Sequence, residues 1–299
     1  MSRTNFISII LPTYNRTDSL KDCIKSVVNQ SYKNWELLVI DDSTTKDVGN
    51  FVKKQIEIDQ RIKYHKNNVR KGLPGSRNVG IDLSKHSYIL FIEDDIIMKS
   101  DSLEILVSAM MKLKNVKKLG AITPSRPWVG RCEFSDDILK FAIRHKNINL
   151  AVPSSRSALT GIVYSNFVPE FATLQEVPDV HACSMYARNV FETVGKYDEN
   201  TYKGNFLYEE TDLNYRIAKS GYKFFFEPKA ILYHKSTQDG GCRVNVNKYA
   251  YYYILNHAKY VGKNYGFRSF YMIPSFLVIM AYTGIKSVLL NSLNSQRRG

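Results

Sequence analysis

Cysteine is scarce in this 299-residue chain, and Cys23, Cys132, Cys183 and Cys242 stand far apart. Such spacing excludes paired metal-ligand motifs and fits a reducing cytoplasm. No internal repeat or low-complexity tract is present, so a repeat architecture is excluded. No apolar secretion segment precedes the first strand, so the folded domain is not expected to be exported. Acidic residues are the minority, 28 against 42 Lys and Arg, for a formal charge of +14. The excess asks for an anionic partner. Nucleic acid is not that partner, because the basic residues are scattered and no recognised reader motif accompanies them.

What is present is the material for an α/β core. Hydrophobic residues make up 44% of the chain, enough for one domain over 1–235 followed by a tail over 236–299. Phe6-Ile7-Ser8-Ile9-Ile10-Leu11 reads as a first strand that leaves through Pro12-Thr13-Tyr14-Asn15-Arg16. A helix follows, capped by Thr17 or Asp18, with Leu20, Ile24, Val27 and Val28 on one face. A second strand, Glu36-Leu37-Leu38-Val39-Ile40, ends in Asp41-Asp42-Ser43. The apolar run Tyr88-Ile89-Leu90-Phe91-Ile92 ends in Glu93-Asp94-Asp95. Strand-helix alternation predicts a parallel sheet, so both acidic groups fall on one carboxyl edge, where open α/β sheets bind ligands. Three adjacent carboxylates suit a divalent cation, Mg²⁺ or Mn²⁺, shared with substrate phosphates; the alternative is a solvated acidic turn ahead of a helix at Ser100-Asp101. Arg77, in Gly72-Leu73-Pro74-Gly75-Ser76-Arg77-Asn78-Val79-Gly80, would reach a phosphate or a neighbouring carboxylate; otherwise it is a surface charge, and Gly80 serves close helix packing.

In this order and spacing, Pro12-Thr13-Tyr14-Asn15-Arg16, Asp41-Asp42-Ser43, Gly72 with Arg77-Asn78-Val79-Gly80, and Glu93-Asp94-Asp95 resemble the motifs of the family 2 glycosyltransferases. The resemblance continues through Val194-Gly195-Lys196-Tyr197-Asp198-Glu199, Tyr208-Glu209-Glu210-Thr211-Asp212-Leu213 with Arg216, and Ile231-Leu232-Tyr233-His234. It implies the GT-A fold, a Rossmann-like mixed sheet flanked by helices, and inverting sugar transfer from a nucleotide-diphospho-sugar. On that resemblance, Asp41-Asp42, Pro12, Tyr14, Arg16, Arg77 and Asp94 bind the donor, with Asp42 on the base or ribose. Asp95, Glu93 and His234 hold Mn²⁺ or Mg²⁺, with Glu93 standing where the DxD motif has Asp. Glu210 takes the place of the general base, which is more often Asp there, and would remove the proton of the attacking hydroxyl. Read without the resemblance, Glu209, Glu210 and Asp212 are ordinary acidic residues at a helix N-terminus, and His234 is a histidine satisfied in a loop. Leu213 and Ile217 would pack that helix, and Asp212 and Arg216, four apart, would pair along it.

The polar stretch Ser236–Arg243 would close over the donor, with Arg243 meeting the diphosphate. Residues 125–179 carry Trp128, Phe134, Phe141, Arg144 and His145 without a clear period; Trp128 and Glu209 are the contacts expected on the loop and acceptor side, with aromatic faces either stacking on sugars or filling the core. Cys183-Ser184-Met185-Tyr186 corresponds to a strand before the catalytic helix. At the C-terminal end, Tyr249 to Tyr265 and Lys259, Lys263 and Arg268 lead into an apolar segment. That pattern suits an anionic membrane surface at the cytoplasmic face. As a straight helix, 269–290 would measure about 33 Å. An interfacial helix is expected first, a single span second, and a helix folded back on the domain third.

The resulting expectation is a metal-dependent inverting transferase that moves a sugar, UDP-sugar favoured, to a lipid-linked saccharide in surface polysaccharide or glycoprotein glycan assembly. The Gln-x-x-Arg-Trp motif of processive synthases is missing, so addition of one or a few sugars is expected. Two alternatives remain open: a non-catalytic nucleotide-sugar-binding relative, given Glu93 and Glu210, and a sugar nucleotidyltransferase, whose glycine-rich N-terminal loop is replaced by Leu11-Pro12-Thr13-Tyr14-Asn15.

Overall fold

A computed structural model describes residues 6–129, 152–235, 242 and 244–296. In chain order its first half runs β1 (Ile7–Thr13), α1 (Thr17–Val28), β2 (Trp35–Asp41), α2 (Asp47–Ile58), β3 (Ile62–Lys66), α3 (Gly72–Leu83), β4 (Tyr88–Phe91), β5 (Ile96–Met98), α4 (Ser102–Lys112), β6 (Leu119–Ser125) and β7 (Trp128–Val129). The remainder is β8 (Ser154–Arg156), β9 (Val163–Ser165), β10 (Gln175–Val177), β11 (Met185–Ala187), α5 (Asn189–Val194), α6 (Glu209–Lys219), β12 (Lys223–Lys235), α7 (Val246–Tyr265), a 3₁₀ turn Gly266–Arg268 and α8 (Ser269–Gln296).

The main sheet has the order β10-β12-β6-β11-β4-β1-β2-β3. β1 is parallel to both β2 and β4, and β2 to β3, so Thr13, Asp41 and the residues after Phe91 emerge on one edge. β11 enters antiparallel between β4 and β6, which makes the sheet mixed. β12 runs parallel to β6, shifts register between Glu227 and Ile231, and then pairs with β5 and β7. Pro228 sits in that shift, where no ladder hydrogen bond is required of it. The irregularity carries His234 across to Trp128 and Ile96, beside the acidic edge.

Period-two alternation divides the core. Ile7, Ile9, Leu11, Leu37 and Val39 face one layer with α1 and α4, whereas Ile10, Leu38 and Ile40 face the other with Phe91, Tyr186, Leu213 and Ile217. This is the mixed sheet flanked by helices that the resemblance implies. Helix α1 departs from expectation at its start: Arg16, and neither Thr17 nor Asp18, occupies the N-cap position, with no side-chain cap bond.

After Lys235 the described chain is helical. Among the described residues no helix is long and apolar enough to cross a membrane. The start of α8 instead folds back, with Met272 and Phe276 buried. Met272 belongs to a separate core cluster with Tyr202, Tyr208, Tyr260 and Val261.

Candidate functional site

A cavity of about 390 Å³ opens at the carboxyl edge. Pro12, Tyr14, Arg16, Asp42, Glu93, Asp94, Asp95, Trp128 and His234 line it, so residues from both expected strand ends and from β12 meet in one place.

The acidic triplet is no solvated turn, since Asp94 is 5% exposed and Asp95 6%. Arg16 Nη1 donates to Asp94 Oδ1 and Asp95 Oδ2, both at 3.0 Å, and Thr13 Oγ1 donates to Asp94 Oδ2 at 2.8 Å. Burial pushes the Asp94 carboxyl up to about 6; Arg16 pulls it down and the neighbouring Asp95 charge pushes it up. Asp95 moves the other way: burial raises it, but His234 and Arg16 hold it below the usual range. His234 Nε2 lies 3.3 Å from Asp95 Oδ1, and the His234 ring stacks on Trp128 with centroids 3.8 Å apart. Ligand atoms of Glu93, Asp95 and His234 all fall within 4.8 Å of one another. His234 Nδ1 is buried without a hydrogen-bond partner among the described residues, and Asp95 Oδ1 has only the His234 Nε2 contact. An orphaned imidazole nitrogen in a set with two carboxylates fits a divalent cation.

Asp42 organises the neighbouring wall. Its Oδ1 accepts from Asn67 Nδ2 and the Lys71 backbone N–H, both at 2.9 Å, and its Oδ2 from the Gly72 N–H at 2.8 Å. The carboxylate thereby holds the entry of α3 in place. Gly72 has φ +70°, and a Cβ there would lie 2.5 Å from Phe206 Cζ, so both conformation and space require glycine. Asp41 does not reach the cavity: it is fully buried, accepting from Ser43 N–H and from Tyr64 Oη at 2.6 Å. Above this wall the Arg70 guanidinium carbon lies 4.4 Å from the Tyr14 ring centroid.

Arg77 is 1% exposed and is no surface charge. Its Nη1 bonds Glu209 Oε1 and lies 3.9 Å from Glu210 Oε2, while Nη2 lies 3.4 Å from Glu93 Oε1. One guanidinium thus joins the acidic triplet to the first turn of α6. Burial raises the Glu210 carboxyl above its ordinary value against the pull of Arg77, with the Glu93 charge adding to the rise. A carboxylate so shifted is a better proton acceptor than an ordinary one, and with its side chain a third exposed it can meet a substrate hydroxyl. Within α6, Leu213 and Ile217 are fully buried, and Arg216 Nε donates to Asp212 Oδ2 at 3.0 Å, as the spacing of four predicts. Gly80 of α3 packs on Ile10.

Arg243, Phe134, Phe141, Arg144 and His145 lie outside the described residues. The sequence reading missed Arg126, whose Nη1 is 3.5 Å from Glu93 Oε2, and Thr13, which bonds Asp94. It also missed the wall made by Asn205, Phe206, Leu207 and Tyr249. Gly204 and the non-glycine residues Phe206 and Tyr208 have positive φ, and the alternating Gly204-Asn205 was the one local signal of that tight loop.

Residues 8–153 match the family model described as "Glycosyl transferase family 2". Among curated proteins, the chain is 36% identical over 102 residues to the GalNAc(5)-diNAcBac-PP-undecaprenol beta-1,3-glucosyltransferase of Campylobacter jejuni, covering 34% of this chain and 33% of that protein. It is 39% identical over 107 residues to the UDP-Glc:alpha-D-GlcNAc-diphosphoundecaprenol beta-1,3-glucosyltransferase WfgD of Escherichia coli, covering 36% and 41%. The chain therefore spans less than half the length of these relatives. Among solved structures, S. aureus TarS 1–349 in complex with UDP-GlcNAc matches with TM-score 0.57 at 13% identity, over 86% of this chain and 66% of that one.

Proposed function

We propose that this chain, whose residues 8–153 match the model of glycosyl transferase family 2, transfers a sugar from a nucleotide-diphospho-sugar, with UDP-sugars the first candidates, to a lipid-linked saccharide. The observation that carries the reading is the meeting of Asp42, the Glu93-Asp94-Asp95 cluster and His234 around one cavity, linked through Arg77 to Glu209 and Glu210. The Escherichia relative, named for UDP-Glc and a diphosphoundecaprenol-linked sugar, supports both donor and acceptor classes, and the Campylobacter relative, named for a PP-undecaprenol-linked sugar, supports the acceptor class.

In this reading Asp42 and Tyr14 receive the nucleotide, the ring of Tyr14 offering a face for the base and Arg70 backing it. Glu93, Asp95 and His234 would hold Mn²⁺ or Mg²⁺, which would supply Lewis-acid neutralisation of the leaving diphosphate. Glu210 removes the proton of the acceptor hydroxyl as that oxygen attacks the anomeric carbon, in a single inverting displacement. Arg77, held between Glu93 and the α6 turn, keeps the base and the donor site in fixed relation. Trp128, stacked on His234 and 44% exposed, presents its outer face to a sugar ring.

The membrane surface is read from the C-terminal end. Phe267, Phe270 and Val278 are 84%, 75% and 68% exposed beside Arg268, an apolar patch with a basic neighbour that suits peripheral docking to anionic lipid at the cytoplasmic face. The central test is calorimetry of the protein against UDP-, GDP- and dTDP-sugars with and without Mn²⁺. Metal-dependent binding of one nucleotide class is expected, and absence of binding to all three would overturn the reading.

A further inference from the structure

Helix α7 lies against the turn that delivers Glu210. Tyr208, the residue before Glu209, is a non-glycine residue at φ 74° in the N-cap position of α6. A left-handed tyrosine is strained and needs support from its surroundings. That support comes from α7: the Tyr208 ring stacks on Tyr253 and Tyr260 at 5.7 and 5.4 Å and meets His257 edge-on at 5.2 Å.

A second contact reaches the same turn from the other side. Asp212 stands two residues after Glu210, on the opposite side of the helix, and its N–H donates to the Tyr208 carbonyl at 2.9 Å. Its carboxylate is fully buried. Oδ2 accepts from Lys263 Nζ and Arg216 Nε at 3.0 Å each, and Oδ1 accepts from Asn264 Nδ2 at 2.8 Å. Lys263 also donates to Asp198 Oδ2 at 2.7 Å. Farther along the same face, Asn256 exchanges hydrogen bonds with the backbone of Lys203 at 3.0 and 3.2 Å. The spacing Asn256, Lys263, Asn264 keeps these groups on one face of α7. Arg216, from α6 itself, reaches only Oδ2, so the rest of this buried carboxylate is satisfied by the two donors from α7, which tie the turn to that helix.

We propose that α7 is a working part of the active site: Lys263 and Asn264 are positioning residues that, by gripping Asp212, hold the Tyr208–Glu210 turn in the geometry in which Glu210 can take its proton. The inference rests on the reading of Glu210 as the base. It adds that the C-terminal helices do more than attach the domain to a surface.

Lys263→Ala, Lys263→Arg and Asn264→Ala are compared in the full chain. UDP-glucose and UDP-N-acetylglucosamine, with Mn²⁺, serve as probes for both calorimetric affinity and release of UDP per folded molecule. Neither positioning residue lines the donor cavity. Lys263→Ala is therefore expected to change affinity by less than about twofold while lowering turnover about 10- to 100-fold, the range a misplaced reacting group costs. Lys263→Arg, which keeps the charge, recovers most of the loss. Should Lys263→Ala fail to fold, Asn264→Ala, a neutral exchange, decides by the same split between turnover and affinity. Turnover equal to wild type, or turnover and affinity falling together, overturns the proposal. Should the wild type bind neither UDP probe, the same split is read with whichever of the GDP- or dTDP-sugars it binds, and wild-type protein that binds none of the three classes overturns the transferase reading beneath it.

Discussion

Replacing Arg77 by Met isolates the contact that joins the two acidic groups. The methionine keeps an unbranched apolar stem but removes the guanidinium that, among the described residues, bonds Glu209, itself 2% exposed, and lies between Glu93 and Glu210. Breaking a buried ion pair on one side costs about 3–5 kcal/mol, because the surviving charge stays out of water. With a urea slope of about 3 kcal/mol per M, the unfolding midpoint should drop by about 1–1.7 M at about pH 9, above the folded Glu209 value of about 8. The deficit also carries a pH signature. Burial raises the Glu209 carboxyl, with Arg77 opposing the rise and Glu210 adding to it, so losing Arg77 sends it higher still. A carboxyl whose folded pKa is raised contributes stability below its unfolded value and loses it as pH climbs toward the folded one. Since Glu209 already sits at about 8 with Arg77 present, the Arg77→Met deficit should accordingly be smaller at about pH 6 than at about pH 9, and Arg77→Met with Glu209→Gln should recover much of it, since both charges are then gone. Urea titrations at the two pH values measure this. A midpoint shift under about 0.3 M, or a deficit equal at both pH values, would refute the argument that Arg77 compensates buried carboxylates.

Gly72→Ala should cost at least about 1–2 kcal/mol, from a left-handed alanine and the close Phe206 ring, and the loss should shrink when Phe206 is also cut to Ala; urea unfolding of the single and double variants checks it, and additive effects would sink the steric account. Mn²⁺ affinity should weaken as pH falls through about 6, where the Asp94 carboxyl takes its proton and a negative charge is lost beside the Glu93, Asp95 and His234 set; a flat calorimetric profile between pH 5 and 8 would contradict this. The metal-free protein should respond in the opposite sense, because folded Asp94 holds its proton above the ordinary 3.8, so its contribution to stability is present below that value and is lost as pH rises to about 6. Phe267→Ser with Phe270→Ser should lower binding to vesicles rich in anionic lipid at least tenfold, given the apolar area these exposed rings can bury; sedimentation equal to wild type would remove the patch as a lipid contact.

Much of the donor side of the site was legible before any coordinates. Asp42, Glu93, Asp94 and Asp95 terminate apolar runs, and a parallel sheet must bring such termini to one edge. The pairing of Asp212 with Arg216 and the packing of Leu213 and Ile217 are local helical facts, readable from a spacing of four. Other positions were not readable. Asp41 and Asp42 are adjacent, yet strand alternation turns Asp41 into the β3 interface and leaves Asp42 on the cavity. Arg16 looked like the residue before a cap and instead spans to two carboxylates nearly eighty positions away. Arg126 carries no motif around it, so only proximity to Glu93 reveals it.

The sequence by itself determined the periodicities: which runs become strands, where acidic groups leave them, and that a basic, tyrosine-rich end follows the sheet. These depend on neighbours in the chain, and short-range sterics and hydrophobic alternation decide them. Tertiary structure alone decided that Arg77 is buried between Glu93 and α6, that the register shift of β12 carries His234 to Asp95, and that α7 clasps the turn before Glu210. Each of these contacts joins segments dozens of residues apart, and the burial that makes them strong exists only once the sheet and helices have closed around them.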